Sequence, residues 1–147
     1  MRDVPSDVIR IQEVGMRDGL QSAGQFVETA DKIQLLNQLS KTGLSKIEVT
    51  SFVSPKAVPL LADAEAVLDA IERVPGVVYS ALIPNIRGLG RALAVDLDEV
   101  NVVMSVSNAH NMANLRMTCD DSLQQFREIC ANRGLLKVNG TLATAFG

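Results

Sequence analysis

The chain is short of the residues that would commit it to several kinds of chemistry. It has two cysteines, one histidine and no tryptophan. Cys119 and Cys130 are eleven positions apart on one helical segment, too far for a disulfide, and neither has a Cys or His neighbour at the spacing of a zinc site. Both are expected as reduced thiols, with Cys130 buried on the helix face. Basic charge is also scarce: 14 Lys and Arg against 17 Asp and Glu leave a net charge of −3 and a pI near 5.1, so no nucleic-acid partner is expected. No apolar run is long enough to span a bilayer, and Met1–Asp7 carries acids and a proline where a secretory signal needs apolar residues. The expectation is no membrane partner and a cytoplasmic location. Linkers and low-complexity stretches are missing too. With 47% hydrophobic and 21% charged residues, the 147 residues read as one globular domain.

What is present is alternation. Five short runs rich in Val and Ile, at 8–14, 45–50, 77–83, 99–105 and 136–141, alternate with amphipathic segments, the pattern of βαβ units feeding a parallel sheet. The runs are nearly all apolar, as expected of strands covered on both faces. Four helices fit between them. Thr29 is placed to cap the first, with Ile33, Leu36 and Leu39 on one stripe and Gly43 beyond its end. Leu61, Ala64, Leu68 and Ile71 mark the second, which Pro75-Gly76 stops. Pro84-Asn85 opens the third, where Asn85 reads best as a cap. The fourth runs from about Asp120 to Gly134 with Leu123, Phe126 and Cys130 inside. Ser105 to Asn114 reads as a polar loop holding His110.

The chemistry-bearing run is Glu13-Val14-Gly15-Met16-Arg17-Asp18-Gly19-Leu20-Gln21, at the carboxyl end of the first strand. A cation, a carboxylate and two glycines where a strand ends suit a site better than a core, because glycine lets backbone turn and approach a ligand. An Arg-Asp pair by itself is as well explained by a surface ion pair. No strand is followed by a Gly-x-Gly-x-x-Gly or Walker-type loop, which argues against an open-sheet nucleotide binder.

Together with Ile47-Glu48-Val49-Thr50-Ser51-Phe52-Val53-Ser54-Pro55-Lys56 and, more loosely, Ile83-Pro84-Asn85, this run resembles the metal-dependent acyl-CoA lyases of the 3-hydroxy-3-methylglutaryl-CoA lyase family, within the aldolase-type barrel superfamily. The resemblance implies an α/β fold: the N-terminal portion, about five strands and four helices, of a TIM (β/α)8 barrel, one partial pyruvate-carboxyltransferase-like domain over residues 1–147. A complete barrel needs about 250 residues. It further implies carbon–carbon cleavage of a 3-hydroxyacyl-CoA to acetyl-CoA and a keto product, as in leucine degradation, by a homo-oligomer when the enzyme is intact.

The resemblance also implies roles. Asp18 matches a ligand of a divalent cation, magnesium or manganese, and Arg17 matches the arginine facing the substrate carbonyl, where it neutralises the developing enolate. Glu48 matches an acid that acts with that arginine and Glu13 one that orients it. Gln21, Ser51, Asn108 and Thr141 fall in the loops and strand ends that meet substrate, although a turn-forming or solvated role suits Gln21 and Ser51 equally. Ser107, His110, Asn111 and Thr144 lie at the same rim. The family's histidine pair, later asparagine and loop cysteine have no counterpart in these residues, so this chain alone is expected to bind metal poorly and to have little lyase activity. Two rivals stand: a lyase for another hydroxyacyl-CoA such as citramalyl-CoA, and a non-catalytic half-barrel that self-associates to cover its edges.

Overall fold

A computed structural model describes residues 9–146. Five strands, β1 (Gln12–Glu13), β2 (Lys46–Ser51), β3 (Val78–Leu82), β4 (Glu99–Ser105) and β5 (Lys137–Ala143), form one parallel sheet in the order β1-β2-β3-β4-β5. This order settles the architecture. An open doubly wound sheet reverses its strand order at a switch point, whereas strands laid down strictly in sequence follow a barrel wall. The sheet is accordingly the curled first part of a TIM barrel, with β1 and β5 as edges among the described residues.

Side-chain alternation gives the sheet two unlike faces. Ile47, Val49, Tyr79, Ala81, Val100 and Val102 point to the helical layer and make the core with Leu36, Leu68, Leu89 and Ile129. The intervening positions on the other face are polar: Glu48, Ser80, Asn101 and Asn139 are hydrogen-bonded in one layer across four strands. The apolar runs thus hide a polar stripe facing the barrel interior. Near it, the β2–β3 register shifts between Glu48 and Thr50, an irregularity of the kind that re-aims side chains beside active sites.

Between the strands run α1 (Thr29–Leu39), α2 (Ala64–Ala70), α3 (Ile86–Ala92), α4 (Asn108–Leu115) and α5 (Cys119–Asn132). Asn85 caps α3 as expected, its Oδ1 accepting the Gly88 amide at 3.0 Å. Gly88 is needed there, since a Cβ would lie 2.8 Å from Cδ of the rigid Pro84 ring. Gly43 (φ 89°) follows α1 in the left-handed conformation that glycine tolerates.

Several elements differ from the sequence expectation. Val8 lies outside the described residues, and of the expected 8–14 strand only Gln12–Glu13 enters the ladder, because β1 has one neighbour. Thr29 is the first residue of α1, not its cap; Glu28 holds the cap position and the Thr29 hydroxyl instead donates to Asp63 at 2.8 Å. The expected second helix is split: a 3-10 turn at Pro59–Leu61 precedes α2, and Ile71 is already extended. Cys130 is exposed, not buried. On α5, Phe126 faces the core as expected, but Ser122 and Ile129 are buried beside it in place of Leu123 and Cys130. Where a polar loop was expected, α4 forms. Among the described residues no helix is long and apolar enough to cross a membrane.

Candidate active site

The chain leaves β1 through a single π-helical turn, Gly15–Gly19, at the end of the barrel where the strands' carboxyl termini lie. A π turn carries an extra residue, and such turns recur at functional sites because they redirect side chains. Neither glycine of the motif has a positive φ, so the turn does not depend on the left-handed freedom expected of them. Its result is to bury Met16 as an anchor and send Arg17 across the top of β2.

The Arg17 guanidinium is gripped from two sides. Nε donates to Oε2 of Glu48 at 2.9 Å, and Nη1 donates to Oδ1 of Asp18 at 2.7 Å. These carboxylates are not equivalent. The Glu48 side chain is 3% exposed and the Asp18 side chain 65%, with Arg17 between them at 19%. An ion pair at a protein surface is weakly held, whereas a buried carboxylate needs every partner it has. Glu48 therefore fixes the arginine, and Asp18 remains an exposed acid beside it. The other oxygen of Glu48 accepts from Nδ2 of Asn101 at 2.7 Å. Sequence reasoning missed Asn101 and its partner Asn139. The signal was there, in an amide set among Val100, Val102 and Val103 in a strand read as fully buried.

Two clefts meet at Arg17. One of about 280 Å³ runs along the barrel interior between Arg17, Glu48, Asn101, Asn139 and Thr141. A larger one of about 820 Å³ opens at the mouth, bordered by Arg17, Gln21, Asn85, Asn114, Gln125 and Thr141. Arg17, Gln21, Glu48 and Thr141 are thus brought together. Glu13, Ser51 and Asn108 sit otherwise. Glu13 accepts the Gly15 amide at 2.5 Å, Ser51 is buried with Oγ accepting the Val53 amide at 3.3 Å, and Asn108 Oδ1 accepts the Cys119 amide at 2.8 Å. Each stabilises the backbone of a rim loop.

The stretch after β4 is organised by polar contacts. Ser107 caps α4, and the buried Asn111 accepts the Ser105 amide and donates to Met117 O, Thr118 O and Ser122 Oγ. His110 lies exposed on α4, with Nδ1 2.6 Å from Ser105 Oγ. No group of three or more His, Cys, Asp or Glu side chains comes together among the described residues. The donor set is one exposed carboxylate beside an arginine, and by itself it does not fit a divalent cation, which takes about six oxygen ligands.

A family model described as HMGL-like matches residues 8–133. The chain belongs to the HMGL-like family. It is 45% identical over 141 residues to the hydroxymethylglutaryl-CoA lyase YngG of Bacillus subtilis, covering 95% of this chain and 47% of that protein. It is 42% identical over 141 residues to a 3-hydroxy-3-isohexenylglutaryl-CoA/hydroxymethylglutaryl-CoA lyase of Pseudomonas aeruginosa, again 95% of this chain and 47% of the relative. Among solved structures, an HMG-CoA lyase from Acinetobacter baumannii, in complex with coenzyme A and 3-methylmalate, superposes with a TM-score of 0.92 at 47% identity, over 99% of this chain and 48% of that one. The chain spans about half the length of these HMGL-like relatives.

Proposed function

We propose that the protein carrying this chain is a carbon–carbon lyase that cleaves 3-hydroxy-3-methylglutaryl-CoA, an acyl-CoA substrate, to acetyl-CoA and acetoacetate. The observation that carries this reading is the Arg17 guanidinium, fixed by a buried carboxylate and standing where the two clefts meet. In this cleavage the tertiary hydroxyl loses its proton and its carbon becomes a ketone. The neighbouring carbon–carbon bond breaks, and its electron pair moves into the thioester fragment as an enolate that takes up a proton. Arg17 faces the thioester carbonyl and holds the charge that develops on its oxygen, a contribution of several kcal/mol in a water-excluded pocket. Because Glu48 grips the guanidinium before substrate arrives, that donor needs no reorganisation during the reaction. Gln21 and Thr141, which both border the mouth cleft, contact the acyl-CoA. Glu13, Ser51 and Asn108 keep the rim loops in shape around it.

Asp18 is one ligand of a magnesium or manganese ion in this proposal, and the remaining ligands come from outside these 147 residues. The same holds for a homo-oligomeric assembly, a cytoplasmic location and a place in leucine degradation, which belong to the proposal for the whole protein. The test uses the full-length gene product and follows acetyl-CoA release from two thioesters, 3-hydroxy-3-methylglutaryl-CoA and its isohexenyl homologue. Cleavage of the first, with Arg17→Lys lowering kcat by about a hundredfold or more, is the expected result. Wild-type kcat in that variant removes Arg17 from the chemistry.

A further inference from the structure

We propose that Asn101 is a positioning residue for Arg17, acting through Glu48, and that Asn139 braces the Asn101 amide from β5. This rests on the reading that Arg17 serves the cleavage. Glu48 is held on β2 by its backbone, but the torsion that turns its carboxylate is broad and roughly two-fold. A single hydrogen bond from Arg17 would leave that group free to swing. The second bond, from Asn101 Nδ2 to Oε1 at 2.7 Å, fixes the carboxylate plane and therefore the position of Oε2, on which Arg17 rests at 2.9 Å.

An asparagine does this only if its amide nitrogen faces Glu48. Nothing in the amide's shape decides that, because its oxygen and nitrogen ends are nearly the same size. Asn101 and Asn139 are register partners on β4 and β5, and Asn139 Nδ2 donates to Asn101 Oδ1 at 3.1 Å. With its nitrogen held by β2, the amide leaves its oxygen toward β5, where the Asn139 bond keeps it from turning. That nitrogen also lies 3.4 Å from Ser80 Oγ on β3. The order runs Asn139, Asn101, Glu48, Arg17, from the β5 edge to the reacting end. Asn101 is 4% exposed and sits in a strand whose other residues suit the sheet better, so its burial is costly unless these bonds are made.

The experiment is a double-mutant cycle in the full-length protein, read as separate kcat and KM values. Asn101→Leu keeps the volume and removes the bonds. It is expected to lower kcat by about tenfold to a hundredfold with KM within about twofold, because a displaced donor costs transition-state stabilisation more than binding. Combined with Arg17→Lys, it should cost almost nothing further, since both changes damage one unit. A kcat within twofold of wild type in N101L, or losses that multiply in the double variant, overturns the proposal. Wild-type kcat in R17K overturns the reading beneath it instead. If N101L does not fold, Asn139→Leu on β5 carries the test. There kcat should fall about threefold to tenfold, and an unchanged kcat rejects the relay.

Discussion

Glu48 joins the polar layer of the sheet to the position of Arg17. It accepts on both oxygens, from Arg17 and from Asn101, in a position almost closed to water. Glutamine has nearly the same shape but only one acceptor, so in Glu48→Gln its NH2 group must face a donor on one side or the other. Breaking a buried ion pair in this way is expected to cost about 3 kcal/mol of stability, and to lower kcat about a hundredfold through the misplaced arginine. Thermal melting and acetyl-CoA release measure the two losses; a variant as stable and as active as wild type would mean the carboxylate's charge is dispensable. The motif from Glu13 to Gln21 was legible from sequence because charged residues stood where a strand ends, and Glu48, within β2, through the family resemblance of the run around it. Asn101 was not, since its importance lies in partners 53 and 38 positions away.

Among the elements, α4 is the least legible. Residues 105–114 have little apolar content, so no stripe announces a helix. What forms it is the Ser107 cap and the Asn111 side chain, which ties the end of β4 to the α4–α5 connection and the first turn of α5. Asn111→Ala would leave several buried polar groups without partners, and a loss of about 2–3 kcal/mol is expected in a urea titration. A change below about 0.5 kcal/mol would show that water replaces the side chain without cost. The α2–α3 contact gives a pH-dependent prediction. Arg91 donates to both oxygens of Glu65, at 2.5 and 2.7 Å, and this hydrogen bonding holds the Glu65 carboxyl below its ordinary value. A lowered folded pKa gives stability that is fully present above the unfolded glutamate range and disappears as pH falls through the folded value. The stability difference between wild type and Glu65→Gln, about 0.5–1 kcal/mol for a partly exposed pair, should therefore be seen at neutral pH and vanish in acid. A difference that is constant with pH would assign it to packing.

For the molecule as a whole, strand order and exposure decide behaviour. β1 and β5 are both edges among the described residues, and Ile9, Ile11, Leu142 and Phe146 are exposed. Unpaired edges bearing apolar residues associate. Produced by itself, the 147-residue chain is expected to self-associate in sedimentation velocity, and to bind a hydrophobic dye. Heterogeneous aggregates fit a barrel wall without its remainder, and a discrete soluble dimer fits the self-covering half-barrel. A monodisperse monomer that binds no dye contradicts both.

The sequence by itself determined that strands and helices alternate, that the strand runs are rich in apolar residues, and that a charged, glycine-bearing motif stands at the end of the first strand. Those properties follow from local periodicity and from short motifs, which need no knowledge of the rest of the chain. Only the tertiary structure decided that the second sheet face carries a polar layer and that Glu48 answers to Asn101 as well as to Arg17. Each of these is a contact between residues distant in sequence. Backbone pairing across the sheet creates such contacts, and no local pattern encodes them.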